Sequence, residues 1–290
     1  MLNREPRVVV PPESKALCRT QWMSSRESRI SAHRKSLQSH QESHAAAFSR
    51  KSVMLIGDKT PEHTGRIGWL REAFPKAPIV AIVRDGRATA ASLTRVPWLN
   101  ANHLSAALIW THYSRCLRNY LALQDRLFLT ITFEDLVQFP EATLSSVLSH
   151  LGLDSTNVET CLQPTEEYDR QLFSEREKSW KSQAIQPISG EKLDYQKHLS
   201  ARQLDELNQL LQVELREWDY PVPTPDRLSK ALWYRAHLSL TKTLVQLPPS
   251  AILGELQYRA SCLWSHLFSH ETRVQATKGD LGVVPETKWR

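Results

Sequence analysis

The sequence feature that most constrains the fold is a short apolar run followed at once by a charged turn. The run is Ile79–Val83 (IVAIV), and its continuous β-branched character predicts a strand buried on both faces of a parallel sheet. Residues 84–87 (RDGR) follow, and residues 88–93 are predicted to be helical. Such a unit places charges at the carboxyl end of a strand, where open α/β sheets bind ligands. Because a helix amino terminus has free N–H groups and attracts anions, the unit predicts a phosphate or sulfate site.

A second charged turn lies upstream of this unit. Residues 54–57 (MLIG) form a shorter apolar stretch that ends at residues 58–61 (DKTP). A carboxylate beside a lysine, directly after a strand, can act as base and electrophile when a charged group is transferred to a hydroxyl. Asp58 and Lys59 are therefore the candidate catalytic residues. The alternative for Asp58 is a role as cap of the helix that follows Pro61.

Residues 58–93 (DKTPEHTGRIGWLREAFPKAPIVAIVRDGRATAASL) resemble the core of the sulfotransferases that use 3′-phosphoadenosine 5′-phosphosulfate (PAPS). The resemblance rests on both turns, the WLREAFP linker and the spacing between them. It implies an α/β fold of the P-loop-NTPase type, a three-layer sandwich around a central parallel sheet. It also implies that Asp58 is the catalytic carboxylate, with Lys59 beside it. Arg84 and Ser92 would bind the 3′-phosphate of the donor.

The first residues of the chain bear on the part of the donor site that would bind the 5′-phosphosulfate. In many bacterial relatives a strand and a loop rich in Gly, Arg, Ser and Thr bind the 5′-phosphosulfate. A helix follows, and then a segment similar to Leu-Asn-x-His-Pro-x-Ile-x-Val-Pro-Pro-Glu-Ser. This sequence opens within that pattern, and its nine glycines form no other phosphate-binding loop. The resemblance therefore implies an amino-terminally truncated chain without the first strand and the 5′-loop, whose activity is open.

A second buried strand is predicted at residues 127–132 (LFLTIT), followed by residues 133–136 (FEDL). The latter segment resembles the Tyr-Glu-Asp-Leu turn of the family. Because the acidic pair mostly fixes the turn in the family, Glu134 and Asp135 are interpreted as structural.

Residues 189–197 lie where the family closes a basic loop over the adenosine and the 3′-phosphate. The arginine-tryptophan pair common there is missing, so Lys192 and Lys197 are the candidate donor-binding cations.

Amphipathic patterns predict four further helices, at residues 64–75, 103–123, 140–152 and 201–220. Ser200 is the expected cap of the last of these. Arg71, Arg115 and Arg118 are expected to point to solvent. Resemblance to the family ends near residue 221, which predicts a sulfotransferase-like domain at residues 1–222 and a helical extension at 223–290. In the extension, residues 252–268 are predicted to form an amphipathic helix that could dock on the domain, form a homodimer or contact a membrane surface.

Length, charge and cysteine content limit the class of protein. A chain of 290 residues can bury a sizeable core. The net charge of +6 fits an enzyme for a polyanionic donor, and a solvated basic surface is the equal alternative. The four cysteines have no metal-ligand spacing, which predicts reduced thiols and a cytoplasmic location. No apolar run approaches the ~18 residues of a membrane span. No motif for nucleic-acid binding is found.

The resemblance implies an enzyme that moves a sulfuryl group from PAPS to a hydroxyl or amine of an acceptor, without a metal. The acceptor, whether a sugar, lipid, peptide or small molecule, is left open. Two alternatives remain. The chain could be a non-catalytic remnant that binds nucleotide through Arg84 and Ser92. It could also be a relative of the P-loop nucleotide kinases, which predicts glycine-rich and Mg²⁺-binding signatures that the sequence lacks.

Overall fold

The computed structural model describes residues 1–10, 53–96, 99–163, 194–223 and 229–245, together with some of the residues between 25 and 39. The chain divides into two compact units, Met1–Leu247 and Pro248–Arg290, and the described residues all belong to the first. Lys192, predicted to bind the donor, and the helix predicted at residues 252–268 therefore lie outside the described residues.

The described residues contain four strands in two parallel pairs. β1 (Val8–Val9) pairs with β2 (Leu55–Ile56), and β3 (Ile79–Val83) pairs with β4 (Phe128–Thr132). The connection between β3 and β4 contains two helices, as a parallel crossover requires. The α/β fold class with parallel strands, predicted from the sequence, is confirmed, and β3 has the predicted bounds.

Helices connect and cover these strands. A 3₁₀ helix at Pro61–Arg66 leads directly into the first α-helix, so the helix predicted at residues 64–75 is divided between them. Another 3₁₀ helix lies at Gln196–His198. The α-helices are α1 (Ile67–Ala73), α2 (Gly86–Leu93), α3 (His103–Leu121), α4 (Phe133–Gln138), α5 (Pro140–His150), α6 (Val158–Leu162), α7 (Ala201–Glu217) and α8 (Lys230–Val245).

The two long helices α3 and α7 begin at capping boxes. Asn102 accepts hydrogen bonds from the backbone N–H groups of Leu104 and Ser105 at the start of α3. Ser200 accepts from the N–H of Gln203 at the start of α7, and the predicted cap is confirmed. Both caps satisfy N–H groups that have no partner within the helix.

Helix α3 is the centre of the packing. Its Trp110 and two of its alanines form a buried cluster with Ala90 of α2 and with Leu207, Leu211 and Leu215 of α7. Small residues on α2 let it approach α3 closely, because they add little side-chain volume between the helices. This packing fixes α2, and therefore the turn before it, relative to α3.

One face of the β3–β4 pair packs against α3, whereas Ile82 on the other face is exposed. Val83 packs with Leu117 and Tyr120 of α3. Ile82 points to the opposite face because strand side chains alternate, and it is 56% exposed. The expectation that β3 is buried on both faces is therefore wrong for the face that carries Ile82. An apolar run identifies the strand but does not show what covers it.

Three arginines expected to point to solvent bind carboxylates inside the fold instead. Arg115 and Arg118 of α3 bind Glu214 of α7, at N–O distances of 2.7 and 3.0 Å. The Glu214 residue is 2% exposed. Arg71 of α1 binds Asp125 at 2.7 Å. The sequence prediction is corrected in each case, because helical periodicity does not reveal a partner that is distant in sequence.

Helix α8 lies in the stretch predicted as an extension and packs on α3. Leu232 and Ala236 are buried against Leu104, and Arg235 donates a 2.9 Å hydrogen bond to Glu206 of α7. The division into residues 1–222 and 223–290 stays a prediction. Within the described part of the chain, no helix is both long and apolar enough to cross a membrane.

Candidate active site

The turn after β2 is built around the carboxylate of Asp58, whose side chain is only 4% exposed. Its Oδ1 accepts a 2.9 Å hydrogen bond from the Thr60 hydroxyl and lies 4.0 Å from Nδ1 of His63. Its Oδ2 is buried and has no hydrogen-bond partner among the described residues. Since a buried acceptor without a donor is destabilising, Oδ2 is the atom of this turn that is suited to accept a proton.

The two candidate catalytic residues of this turn differ in exposure. Lys59 is exposed, whereas the neighbouring carboxylate is buried. The 3₁₀ helix that follows has Thr60 as its N-cap residue, so Asp58 does not occupy the cap position considered as its alternative role. Lys59 is therefore the residue of this pair that can meet an anion from solvent.

Arg84 follows β3 directly and is held by aromatic side chains. Its guanidinium carbon lies 4.5 Å from the ring centroid of Phe133, a cation–π contact, and its carbonyl oxygen accepts a 3.0 Å hydrogen bond from the indole of Trp110. Burial lowers the pKa of Arg84, and the carboxylate of Glu134 acts in the opposite direction. A cation whose burial outweighs its nearby carboxylate gains stability from an anionic ligand.

Glu134 has a structural role, as predicted. Its two carboxylate oxygens accept hydrogen bonds from the backbone N–H of Asp85 at 3.1 Å and from the Tyr220 hydroxyl at 2.8 Å. Asp135 accepts from the Thr132 hydroxyl. The acidic pair therefore fixes the turn between β4 and α4 and ties it to the end of α7.

An internal carboxylate caps one N–H group at the amino terminus of α2. Asp85 accepts a 2.8 Å hydrogen bond from the N–H of Arg87, and the Arg87 guanidinium binds the same carboxylate at 2.6 Å. A Cβ atom added at Gly86 would lie 2.7 Å from the Trp110 ring, so the indole closes this side. The N–H of Arg87 is therefore occupied by an internal carboxylate, and the anion site expected at this terminus stays a prediction.

Basic side chains lie on either side of α2, since Arg84 precedes the helix and Arg95 follows it. Ser92 lies in the last turn, and its carbonyl accepts a 3.1 Å hydrogen bond from the N–H of Arg95. The charge of Arg95 contributes to the lowered pKa of Arg84, after the larger effect of burial. Nη1 of Arg95 lies 3.5 Å from Nε2 of His198 in the 3₁₀ helix Gln196–His198. Arg84, Ser92, Arg95 and His198 are called the basic cluster below.

Lys197, predicted to bind the donor, is exposed and its Nζ lies 3.8 Å from a carboxylate oxygen of Asp194. Its neighbour His198 is the residue that contacts Arg95. Sequence reasoning missed Arg95 and His198. The available signal was the position of Arg95 three residues after Ser92, which is one helical turn along the same side.

In the described ranges, no three His, Cys, Asp or Glu side chains are placed to hold a metal ion.

Helix α3 contacts both turns within four consecutive residues. A Cβ atom at Gly65, in the 3₁₀ helix after the Asp58 turn, would lie 3.4 Å from His112 and 3.5 Å from Tyr113. Gly86, after the Arg84 turn, touches Trp110. Burial lowers the pKa of His112 to about 4, so this imidazole is neutral near pH 7. The two turns singled out in the sequence are therefore both anchored on residues 110–113.

A family model described as Sulfotransferase family matches residues 4–157, more than half of the 290-residue chain. The chain belongs to the sulfotransferase family. The match contains both turns, α3 and the acidic turn after β4. No curated protein matches the chain.

Two solved structures of sulfotransferase domains are similar to this chain. One, from the Synechococcus PCC 7002 olefin synthase, is 19% identical, with 72% of this chain and 75% of that chain covered and a TM-score of 0.47. The other, from the curacin biosynthetic pathway, is 17% identical, with 76% and 84% covered and a TM-score of 0.50. At this identity the second likeness shows the fold alone, and the predicted P-loop-like fold class is confirmed.

Proposed function

We propose that this sulfotransferase takes its sulfuryl group from PAPS and transfers it to a hydroxyl or amine of an acceptor. The observation that carries the proposal is Arg84. It is a half-buried guanidinium at the carboxyl end of a parallel strand, and its burial lowers its pKa despite the nearby Glu134. The 3′-phosphate of the donor would stabilise that charge, and the Ser92 hydroxyl can donate to the same phosphate.

Bound PAPS supplies an activated sulfuryl group whose leaving group is 3′,5′-adenosine bisphosphate. Oδ2 of Asp58 accepts the proton of the acceptor, while the Thr60 hydroxyl holds Oδ1 in place. Lys59 is exposed and can neutralise charge close to the transferred group. Because Oδ2 is buried in this conformation, entry of the acceptor requires a movement of the residues that cover it.

A transfer assay tests the proposal. The full chain is incubated with PAPS and a panel of sugar, lipid, peptide and small-alcohol acceptors, and formation of 3′,5′-adenosine bisphosphate is measured together with the sulfated product. Asp58→Asn should lower the rate by about 100-fold or more, because a positioned base contributes about 10²–10⁴. Asp205→Asn, on the exposed side of α7, is the matched control and should leave the rate unchanged.

Two outcomes contradict the proposal. In the first, the folded chain produces neither product with any acceptor and does not bind 3′,5′-adenosine bisphosphate. In the second, Asp58→Asn retains the full rate, which would remove the base assignment but leave the donor site. The cytoplasmic location, the homodimer and the amino-terminal truncation stay predictions.

A further inference from the structure

Helix α8 has large apolar side chains on two opposite faces. Leu232, Ala236 and Leu240 recur at every fourth position and are buried, the first two of them in the cluster against α3. Tyr234 and Leu238 have the same spacing, but they are 64% and 62% exposed. Because the two stripes are offset by two positions, they lie about 200° apart around the helix. Packing on α3 therefore explains one apolar face of α8 and leaves the other at the surface.

The exposed stripe lies between two lysines. Lys230 and Lys242 are exposed, and their positions fall about 60° to either side of the midpoint between Tyr234 and Leu238. The ring of Trp233 meets the Tyr234 ring edge-on, with 5.4 Å between the ring centroids. Lys230, Tyr234, Leu238 and Lys242 are called the outer face of α8 below. This face is aromatic and apolar along its middle and positively charged along both sides.

The sequence around α8 has one sign of charge. No acidic residue occurs between Asp226 and Glu255, a stretch that contains all of α8. Its basic residues are Arg227, Lys230, Arg235 and Lys242. The guanidinium of Arg235 binds Glu206 of α7 at 2.9 Å, so the two lysines carry the charge of the outer face. The net charge of the whole chain, +6, has the same sign.

This combination fits a partner that is anionic and also accepts apolar side chains. Helices that lie in a membrane interface insert Trp, Phe and Leu at the boundary of headgroups and acyl chains, while Lys and Arg meet anionic lipids. Tyrosine and tryptophan are likewise enriched at this boundary. A second copy of the chain is a poorer partner, because face-to-face packing would bring like charges together without an acidic residue on α8 to compensate.

We propose that the outer face of α8 binds the surface of a membrane that contains anionic lipid. Tyr234 and Leu238 enter the boundary between headgroups and acyl chains, and Lys230 and Lys242 contact the lipid phosphates and carboxylates. The helix lies in the plane of the membrane and does not cross it. Binding is reversible, since one short helix supplies both the apolar contact and the charge. This inference goes beyond the proposed function and does not depend on it.

Co-sedimentation with vesicles tests the proposal. The full chain is mixed with vesicles of phosphatidylcholine alone, or of phosphatidylcholine with phosphatidylserine, and the bound fraction is measured at rising salt concentration. Wild type should prefer the vesicles with phosphatidylserine and lose that preference at high salt. Lys230→Gln with Lys242→Gln should lower the partition coefficient on these vesicles about 20-fold, because each lysine near an anionic surface contributes about fivefold.

The apolar contribution is tested separately. Tyr234→Ser with Leu238→Ser should lower the partition coefficient about tenfold or more, since two large side chains would no longer leave water. Val213→Ser, at a 49% exposed position of α7, is the matched apolar control, and Arg216→Gln of the same helix is the charge control. Both controls should bind vesicles like wild type. All of these variants should unfold at the urea concentration of wild type, because the substituted side chains are exposed.

Four results would overturn the inference. Wild type does not prefer the anionic vesicles; or Tyr234→Ser with Leu238→Ser binds them like wild type, which places the contact elsewhere. In the third result, only the lysines matter and heparin binds in place of the vesicles, as expected for a polyanion site. In the fourth, the chain forms a dimer that Leu238→Ser dissociates and binds no vesicles. Sulfuryl transfer measured without vesicles should be the same for these variants as for wild type, so failure here leaves the proposed function standing.

Discussion

Replacement of Arg71 by lysine should loosen the starts of both strands of the β3–β4 pair. The side chain of Arg71 is 19% exposed, and its guanidinium binds the Asp125 carboxylate at 2.7 Å. It also donates to the carbonyl oxygens of Ala77 at 2.7 Å and of Leu127 at 3.2 Å. The Leu127 carbonyl accepts in addition from the N–H of Ile79, the first residue of β3. One planar cation therefore joins α1 to the residues just before both strands.

A lysine keeps the charge but cannot bind three acceptors in these directions, because its ammonium is a point donor on a flexible stem. If two of the three hydrogen bonds are lost, at about 1.5–3 kcal/mol for each bond to a charged group, the free energy of unfolding should fall by about 3 kcal/mol. Urea denaturation followed by circular dichroism measures this change. Lys76→Ala, on the exposed loop after α1, is the control and should stay within about 0.5 kcal/mol of wild type. An equally small change for Arg71→Lys would refute the argument.

Three further substitutions test other parts of the structure by the same denaturation assay. Burial alone would raise the pKa of Glu206, but hydrogen bonds from one histidine and two arginines outweigh it and lower the pKa from 4.5 to about 2. Because the folded-state pKa lies below the unfolded value, this stabilisation is present above pH 4.5 and is lost as the pH falls toward 2. Glu206→Gln should therefore cost about 3 kcal/mol at pH 7 and little at pH 2, and an equal cost at both pH values would contradict the shift. Asp219 has φ of 58° just after α7, so Asp219→Gly should stabilise the protein by about 1 kcal/mol, and a loss of stability would count against this. Gly86→Ala should destabilise it by about 2 kcal/mol, because the added Cβ would lie 2.7 Å from the Trp110 ring, and a neutral effect would show that this contact relaxes freely.

Local patterns predicted the elements that build the site, because their causes are local. The apolar run at Ile79–Val83 marks the strand residue for residue, and the Ser200 cap follows from one side chain and the N–H groups after it. The acidic turn at Glu134 also has the predicted structural role. Each of these features depends on residues that are neighbours in sequence or on a motif of fixed spacing.

Contacts between distant segments could not be predicted in the same way. Arg115 has the spacing of a solvent-facing residue, and only the fold shows that Glu214 of another helix lies beside it. The meeting of Arg95 and His198 depends likewise on how the chain returns after more than a hundred residues. The cap at the start of α2 is different, since Asp85 and Arg87 are only two positions apart in sequence. Whether the N–H of Arg87 binds this carboxylate or an external anion depends on side-chain geometry, which the sequence does not show.

The affinity ratio between 3′,5′-adenosine bisphosphate and 5′-adenosine monophosphate tests most directly whether the basic cluster after β3 binds a 3′-phosphate. Calorimetry on wild type should give a ratio of at least about tenfold, because charge-assisted hydrogen bonds to the extra phosphate contribute about 1.5–3 kcal/mol. Arg84→Gln should bring the ratio close to one, while Arg202→Gln, an exposed arginine of α7, should leave it unchanged. A wild-type ratio near one, or a ratio that Arg84→Gln does not alter, would contradict the assignment of this cluster to the donor.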